Sequence, residues 1–324
     1  MKAYVRIDTV DQRVELADVE VPSPDADEVA LEVHAFGVGV HDRYFISPEV
    51  AVPYVIGLEA AGVVTAVGSA VHGVAVGDRV MATTMMNPKG GTWAESVVVN
   101  QRGVAPIPDE FDFTTAAAIP IAGDAAVECM HTLGMQPNQT LYVAGASGAI
   151  GTLVVQLAAQ RGVRVVGAAS PANHDYVRSL GAELAVDYRD PAWADAVRAW
   201  APGGVDSALA IQPGTPASSR AVVRDGGHLV SVSGDPCPSE RGIFVEQFAH
   251  RPDVGADMAE LVEAIAHGRI NLEIERVYAF DEALAALEKT ETRHARGKVV
   301  VEVRRAGTSA TKGHPAPSAG TERG

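Results

Sequence analysis

The stretch Leu141–Ser170, LYVAGASGAIGTLVVQLAAQRGVRVVGAAS, reads in order as strand, glycine turn, helix and second strand. Leu141 to Ala144 is a short apolar run of the kind a parallel strand covered on both faces requires. Gly145, Gly148 and Gly151 follow at three-residue spacing. Leu153, Val154, Leu157 and Ala158 then recur at helical spacing, Gly162 stands where a left-handed C-cap ends a helix, and Val163–Ala168 is apolar again. About thirty residues is the span of a βαβ crossover. In such a unit the glycines permit a tight turn, close approach of backbone to a pyrophosphate and close packing of helix on strand. The unpaired N–H groups and the dipole at the helix start attract the anion. Gly145, Ser147, Gly148, Ala149, Ile150 and Gly151 are therefore candidate dinucleotide-binding residues. The plain alternative is a glycine turn in any α/β protein, and the strands and helix around this one favour the dinucleotide.

The end of the second strand bears on which dinucleotide. NAD sites place Asp or Glu about twenty residues beyond the first glycines, to bind the ribose hydroxyls. Here Ala168, Ala169, Ser170, Pro171, Ala172 and Asn173 carry no charge, while Ser170, His174 and Arg178 offer hydrogen bonds or positive charge to a 2′-phosphate. NADPH is the expected cofactor, with Arg178 as a merely solvated helix residue the alternative.

Composition sets the limits. The chain has 324 residues, 47% of them hydrophobic, and no apolar run of the ~18 residues that a membrane span needs, so a water-soluble protein of about two domains is expected. Its N-terminus, MKAYVRIDTVDQRVEL, alternates like a strand and carries charges where a signal peptide would have its apolar core, which points to the cytoplasm. Two cysteines, Cys129 and Cys237, are too few for a disulfide framework and are expected as small buried hydrophobes. With 26 basic against 41 acidic residues the formal charge is −15, which repels phosphate backbones and acidic membranes and argues against a nucleic-acid or membrane partner.

Short alternating runs at Lys2–Ile7, Val14–Val19 and Val29–Ala35 make the first part β-rich. Beyond Thr114 helix and strand alternate: Thr115–Leu133, the glycine unit, Asp175–Leu180, Ala192–Ala201, Ser207–Ile211 and Leu229–Val232. That alternation predicts an α/β protein with a doubly wound parallel sheet. Asp257–His267 and Asp281–Lys289 read as amphipathic helices and Lys298–Val303 as a closing strand. The tail 306–324 lacks apolar periodicity and is expected to be disordered.

Gly57-Leu58-Glu59-Ala60-Ala61-Gly62-Val63-Val64, Val67-Gly68 and Gly77-Asp78-Arg79-Val80 together resemble the signature of the medium-chain dehydrogenase/reductase superfamily. Gly91-Thr92-Trp93-Ala94-Glu95, Leu180-Gly181-Ala182 and Gly297-Lys298-Val299-Val300 fall in that family's order. The resemblance implies a GroES-like β domain over 1–120, a Rossmann NADPH-binding domain over 121–252, a return segment over 253–305 that completes the substrate domain, and a homodimer pairing the Rossmann sheet edges. It also separates branches. Gly39 stands where zinc-dependent members have their first Cys, Leu58 replaces their His, and the short link Asn87–Gly91 cannot hold a four-cysteine lobe. His41 with Glu59 alone would hold zinc poorly. The Gly145–Gly151 turn, with Asp42 and Tyr44, resembles the zinc-free quinone oxidoreductase branch, whose members pass hydride from NADPH to a quinone, enone or related activated carbonyl.

The resemblance gives further expectations. Tyr44 is the first candidate for contact with the substrate oxygen, or else packs in the cleft wall. Asp124 and His41 are candidates for proton transfer, with a helix N-cap the alternative for Asp124 and a structural role the alternative for His41. Tyr188 is expected near the adenosine, Val232 and Ser233 near the nicotinamide, and Phe248 over the cofactor or simply packed. Gly39 replaces an Asn common in the branch, so one polar handle is missing. Rival readings are an enoyl-thioester reductase of the same superfamily and a non-catalytic NADPH-binding protein of the crystallin kind.

Overall fold

The computed structural model of the chain describes residues 1–44, 46, 51–251 and 254–303. The glycine unit forms strand Thr140–Ala144, helix Ala149–Gln160 and strand Arg164–Ala168. It lies in a six-stranded sheet whose order from edge to edge is Leu184–Val186, Arg164–Ala168, Thr140–Ala144, Val205–Ala210, Val223–Ser231 and Phe244–Gln247. All its pairings are parallel. The chain steps outward from Thr140–Ala144 to one edge, returns, and steps outward to the other, which puts helices on both faces.

Residue parity explains the two coats. Leu141, Val143 and Val165 share one buried cluster with Met130, Leu153, Val154 and Leu261. Their neighbours Tyr142, Ala144 and Val166 share another with Val197 and Val222. Side chains alternate along a strand, so only a continuously apolar strand can serve both clusters. Thr140–Ala144 is buried at every position.

The other large sheet has seven strands. Ile274–Ala279, Lys298–Glu302, Glu28–Val38, Glu59–Val67, Arg79–Thr83 and Val104–Pro106 follow in order, and Ser96–Asn100 also pairs with Glu28–Val38. The C-terminal strand Lys298–Glu302 thus returns to the β-rich first part and pairs antiparallel with Glu28–Val38. A smaller sheet joins Val14–Asp18, Lys2–Arg6 and Tyr54–Val55. Trp93, Phe36, Leu31 and Ile56 are fully buried in this half.

The periodicity that predicts one helix over Thr115–Leu133 meets a break. Two helices form, Phe113–Ala117 and Pro120–Leu133, with Pro120 at the first position of the second. Proline has no N–H to continue the earlier ladder, while its fixed φ suits a new helix start. Asp124 therefore lies one turn inside the helix, and the N-cap reading of it is corrected: Ile119 holds the cap position. Asp112 caps the short helix, accepting from the Thr115 backbone N–H at 2.7 Å. Cys129 is buried as expected, whereas Cys237 is only half-buried. The tail from 306 on lies outside the described residues.

Candidate active site

At the end of strand Thr140–Ala144 the chain turns through Gly145, at φ +95°, a left-handed conformation that glycine adopts without penalty. Gly145 O accepts from Gly148 N–H at 3.1 Å, and Gly148 is the extended N-cap of the helix Ala149–Gln160. Gly151 packs its bare Cα on the turn: a Cβ there would lie 2.8 Å from Ala146 Cα. The first-turn amides of the helix have no partner within the helix and point at the space beyond the turn.

That space is a cleft in two parts. The larger, about 600 Å³, is lined by Gly145, Ser147, Ser170, Asn173, Tyr188, Trp193, Thr215 and other residues. The smaller, about 180 Å³, lies between the two domains and is lined by Gly39, Val40, His41, Ile121, Ala122, Ile150, Val232 and Lys298 among others. Gly148, Gln212, Arg293 and Ala295 belong to both walls and mark where the parts meet. The return segment closes over the turn here, with Gly297 N–H donating to Ser147 O at 2.9 Å. Thr292, Arg293, His294, Ala295 and Gln212 were not among the residues expected from sequence, because tertiary return rather than any local pattern brings them here.

The expected residues divide. Gly145, Ser147, Gly148, Ser170 and Tyr188 line the larger part, while Ala149, Ile150, Val232 and His41 line the smaller. Gly151 supports the turn from behind. His174 turns its ring back to Ala169 O at 3.2 Å, and Arg178 pairs with Asp175 at 3.1 Å on the outer side of its helix. The structure does not place either in the cleft wall. Asn173 stands there instead, donating to the hydroxyls of Ser147 and Ser170 at 3.4 and 3.3 Å. Ser233 bonds the Asp235 carboxylate at 3.2 Å, and Phe248 packs against the core and edge-on to His250. Tyr44 is 53% exposed on the turn after His41 and is not among the residues lining either part of the cleft.

Electrostatics concentrate beneath the smaller part. Lys298, Glu59 and Asp42 are each at most 5% exposed, and the Lys298 ammonium pairs with Glu59 Oε1. The other Glu59 oxygen accepts from Ile121 N–H at 2.8 Å. Asp42 accepts from Gly39 N–H at 2.8 Å and from the Trp93 indole at 3.2 Å. Burial pushes the Asp42 carboxyl up to about 7, opposed by its Gly39 hydrogen bond and by the Lys298 charge. Desolvation by the protein around it, and then the Arg293 charge, hold the His41 imidazole below its ordinary value.

Asp124 opens elsewhere, onto an apolar cavity of about 590 Å³ between strand Arg79–Thr83 and helix Gly255–Ala266. Burial and then the neighbouring Glu128 and Glu59 raise its carboxyl to about 6. Glu128 is itself buried and accepts from Arg251 N–H at 2.8 Å and from His250. The first turn of the helix, with Ile121 and Ala122 on one side and Pro120 and Asp124 on the other, forms the wall between this cavity and the cleft.

Comparison with known proteins agrees with this geometry. Residues 25–109 match the alcohol dehydrogenase GroES-like domain and residues 180–301 match a family described as zinc-binding dehydrogenase. The chain is 30% identical over 322 residues to the NADPH-dependent alkenal/one oxidoreductase of Arabidopsis thaliana, covering 93% of this chain and 79% of that one. It belongs to the medium-chain dehydrogenase/reductase superfamily. The fold of this family member is also that of the quinone oxidoreductase from Coxiella burnetii, with a TM-score of 0.84 at 25% identity over 94% of this chain and 99% of the other. A third relative, the synaptic vesicle membrane protein VAT-1 of Tetronarce californica, is 32% identical over 191 residues, 58% of this chain and 50% of its own. The match thus spans only half of that relative. The family is one of pyridine-nucleotide oxidoreductases, and among the described residues no helix is long and apolar enough to cross a membrane.

Proposed function

We propose that the protein is an NADPH-dependent, metal-independent reductase of quinones, enones or related activated carbonyl compounds. The observation that carries this reading is the two-part cleft hinged at Gly148: a large, acid-free part beyond the glycine turn, and a small part walled mainly by apolar side chains, with His41, Gln212, Arg293 and the buried Lys298 among its polar groups. The dinucleotide fits the large part. Ser170, Asn173 and Tyr188 would surround the adenosine ribose, and the wall includes Arg293 and His294 but no carboxylate, which suits a 2′-phosphate. The amides that follow Gly148, with Arg293, would hold the pyrophosphate.

When bound, a reduced nicotinamide supplies hydride to an acceptor already polarised by conjugation. What the chain adds is position and dryness. Ile121, Ala122, Val232 and Val38 exclude water from the smaller part and hold a flat acceptor in place there. NADPH is also the coenzyme named for the Arabidopsis relative.

A catalytic zinc does not fit these residues. Gly39 brings no donor, Leu58 is a buried hydrocarbon, and the carboxylate of Glu59 faces the Lys298 ammonium, which repels a cation. Among the described residues no group of three or more His, Cys, Asp or Glu gathers to hold a metal. The edge strand Phe244–Gln247 leaves Phe244 61% exposed, which supports a homodimer through that edge.

The test is a panel of quinones, enones and enoyl thioesters, each with NADPH and NADH, following loss of reduced-nicotinamide absorbance. Quinone or enone turnover that prefers NADPH and survives chelators is expected. Turnover confined to enoyl thioesters would favour the thioester reductase, and NADPH binding without any turnover would favour the non-catalytic reading.

A further inference from the structure

Gly37, in strand Glu28–Val38, and Gly39, just beyond its end, leave room beside the buried charges. Phe36 pairs with Ala60 and Val299 with Val38, so continuing both registers sets Gly37 beside Glu59 and Gly39 beside Lys298. A Cβ on Gly37 would collide with the Glu59 carboxylate and lie 2.6 Å from Ala117 O. The bare Gly37 thus lets Glu59 and Lys298 meet across the strand. At Gly39 a Cβ would stand 3.6 Å from Asp42 Oδ1, in the wall of the small part of the cleft that Gly39 shares with Lys298.

An ammonium has three donors. Among the described residues the recorded ion pair of Lys298 is with Glu59 alone. A buried cation that lines the small part of the cleft, with donors beyond its pair with Glu59, can receive a second anionic oxygen there.

We propose that Lys298 is a catalytic residue whose ammonium, anchored by Glu59 and reached past Gly39, receives the carbonyl oxygen of the acceptor. This rests on the reductase reading above. For an enone the balance is simple. Hydride from NADPH forms a C–H bond at the carbon β to the carbonyl, and the C=C pair shifts to leave an enolate oxygen against Lys298. A solvent proton then closes the α-carbon, so the acceptor gains two electrons and the coenzyme loses them. Lys298 supplies the polar handle that the missing side chain at residue 39 would otherwise have given.

The test uses 4-nitrophenol, whose visible band reports ionisation of an oxygen on a flat ring, with the full-length protein alone and with NADP+. The double variant E59Q/K298M removes both charges together, the change a buried pair tolerates best. Bound to the wild type, the phenol should ionise about tenfold more readily than in water, as an adjacent cation dictates, and E59Q/K298M should abolish the effect. With hex-2-enal and NADPH, E59Q/K298M should lose about a hundredfold in kcat while its NADPH dissociation constant stays within about twofold, the size expected for a lost oxyanion donor. Gly39→Val, which keeps both charges and adds a side chain to the wall Gly39 shares with Lys298, should also abolish the phenol shift, and it decides the matter if E59Q/K298M does not fold.

No ionisation shift in the wild type, or a shift that persists in folded E59Q/K298M or Gly39→Val, overturns the proposal. So does wild-type kcat in E59Q/K298M. A wild type that shifts the phenol yet reduces no acceptor would retain the anion site and remove the reductase reading instead.

Discussion

Replacing Asp124 with Asn tests whether the charge beside the first turn of helix Pro120–Leu133 is electrostatic background or part of the chemistry. Burial, and then Glu128 and Glu59, raise this carboxyl from an ordinary 3.8 to about 6. The folded protein therefore holds the Asp124 proton more tightly than the unfolded chain does. Such a group costs nothing where it is protonated in both states, and its cost grows as pH rises from 3.8 to about 6 and is complete above that. The difference is worth about 3 kcal/mol, at about 1.36 kcal/mol for each pH unit. Asn keeps the shape and carries no charge, so D124N should be more stable than wild type by up to about 3 kcal/mol near pH 8, and equal to it below about pH 4. Urea denaturation of both proteins at the two pH values measures this. Because Asp124 faces the separate apolar cavity and not the cleft, turnover should change by less than about threefold, far below the 10²–10⁴ typical of a lost general acid. A D124N protein less stable than wild type near pH 8 would refute the burial argument, and a hundredfold loss of turnover would restore Asp124 as a direct proton donor.

Other perturbations act on the cradle and the charges beneath it. Gly151→Ala places a methyl group against the Ala146 backbone, so it should destabilise the protein by about 1–3 kcal/mol and weaken NADPH binding at least about tenfold, checked by denaturation and by titration. Gly37→Ala drives a methyl group into the Glu59 carboxylate that pairs with Lys298 and should cost about 3–5 kcal/mol, seen as a lower urea midpoint. Ser170→Asp sets a carboxylate at the ribose end of the larger cavity, which should raise the KM for NADPH by about ten- to a hundredfold while leaving that for NADH nearly unchanged.

Much of the fold was legible because its signals are local. The short apolar runs around Leu141–Ala144 and Val165–Ala168, flanking a glycine turn and a helical periodicity, fit strands covered on both sides, and Gly145, Gly148 and Gly151 fix the turn between the first strand and its helix. The doubly wound order follows from the alternation of helix and strand, and the observed sheet has it. Local reading failed where Pro120 restarts a helix inside one apolar periodicity, and with it went the cap reading of Asp124. Charge at a given spacing does not say which side of a short helix faces the cleft: in the structure His174 bonds Ala169 O and Arg178 pairs with Asp175. The pairing of Glu59 with Lys298 and the closing of Thr292–Ala295 over the glycine turn depend on a C-terminal strand returning to the first sheet. No short window of sequence contains both partners. Gly37, inside strand Glu28–Val38, was the available hint, since a glycine within a strand marks a place where another group approaches closely.

The central claim is that the turn Gly145–Gly151 holds a reduced pyridine dinucleotide. Trp193 lines the larger part of the cleft and stacks on Tyr142 at 5.2 Å, so its emission should report a nicotinamide coenzyme directly. Titrating the purified protein with NADPH and with NADH, while following tryptophan quenching and energy transfer to the reduced ring, should give saturable binding, tighter for NADPH. The absence of binding by either coenzyme would contradict the account.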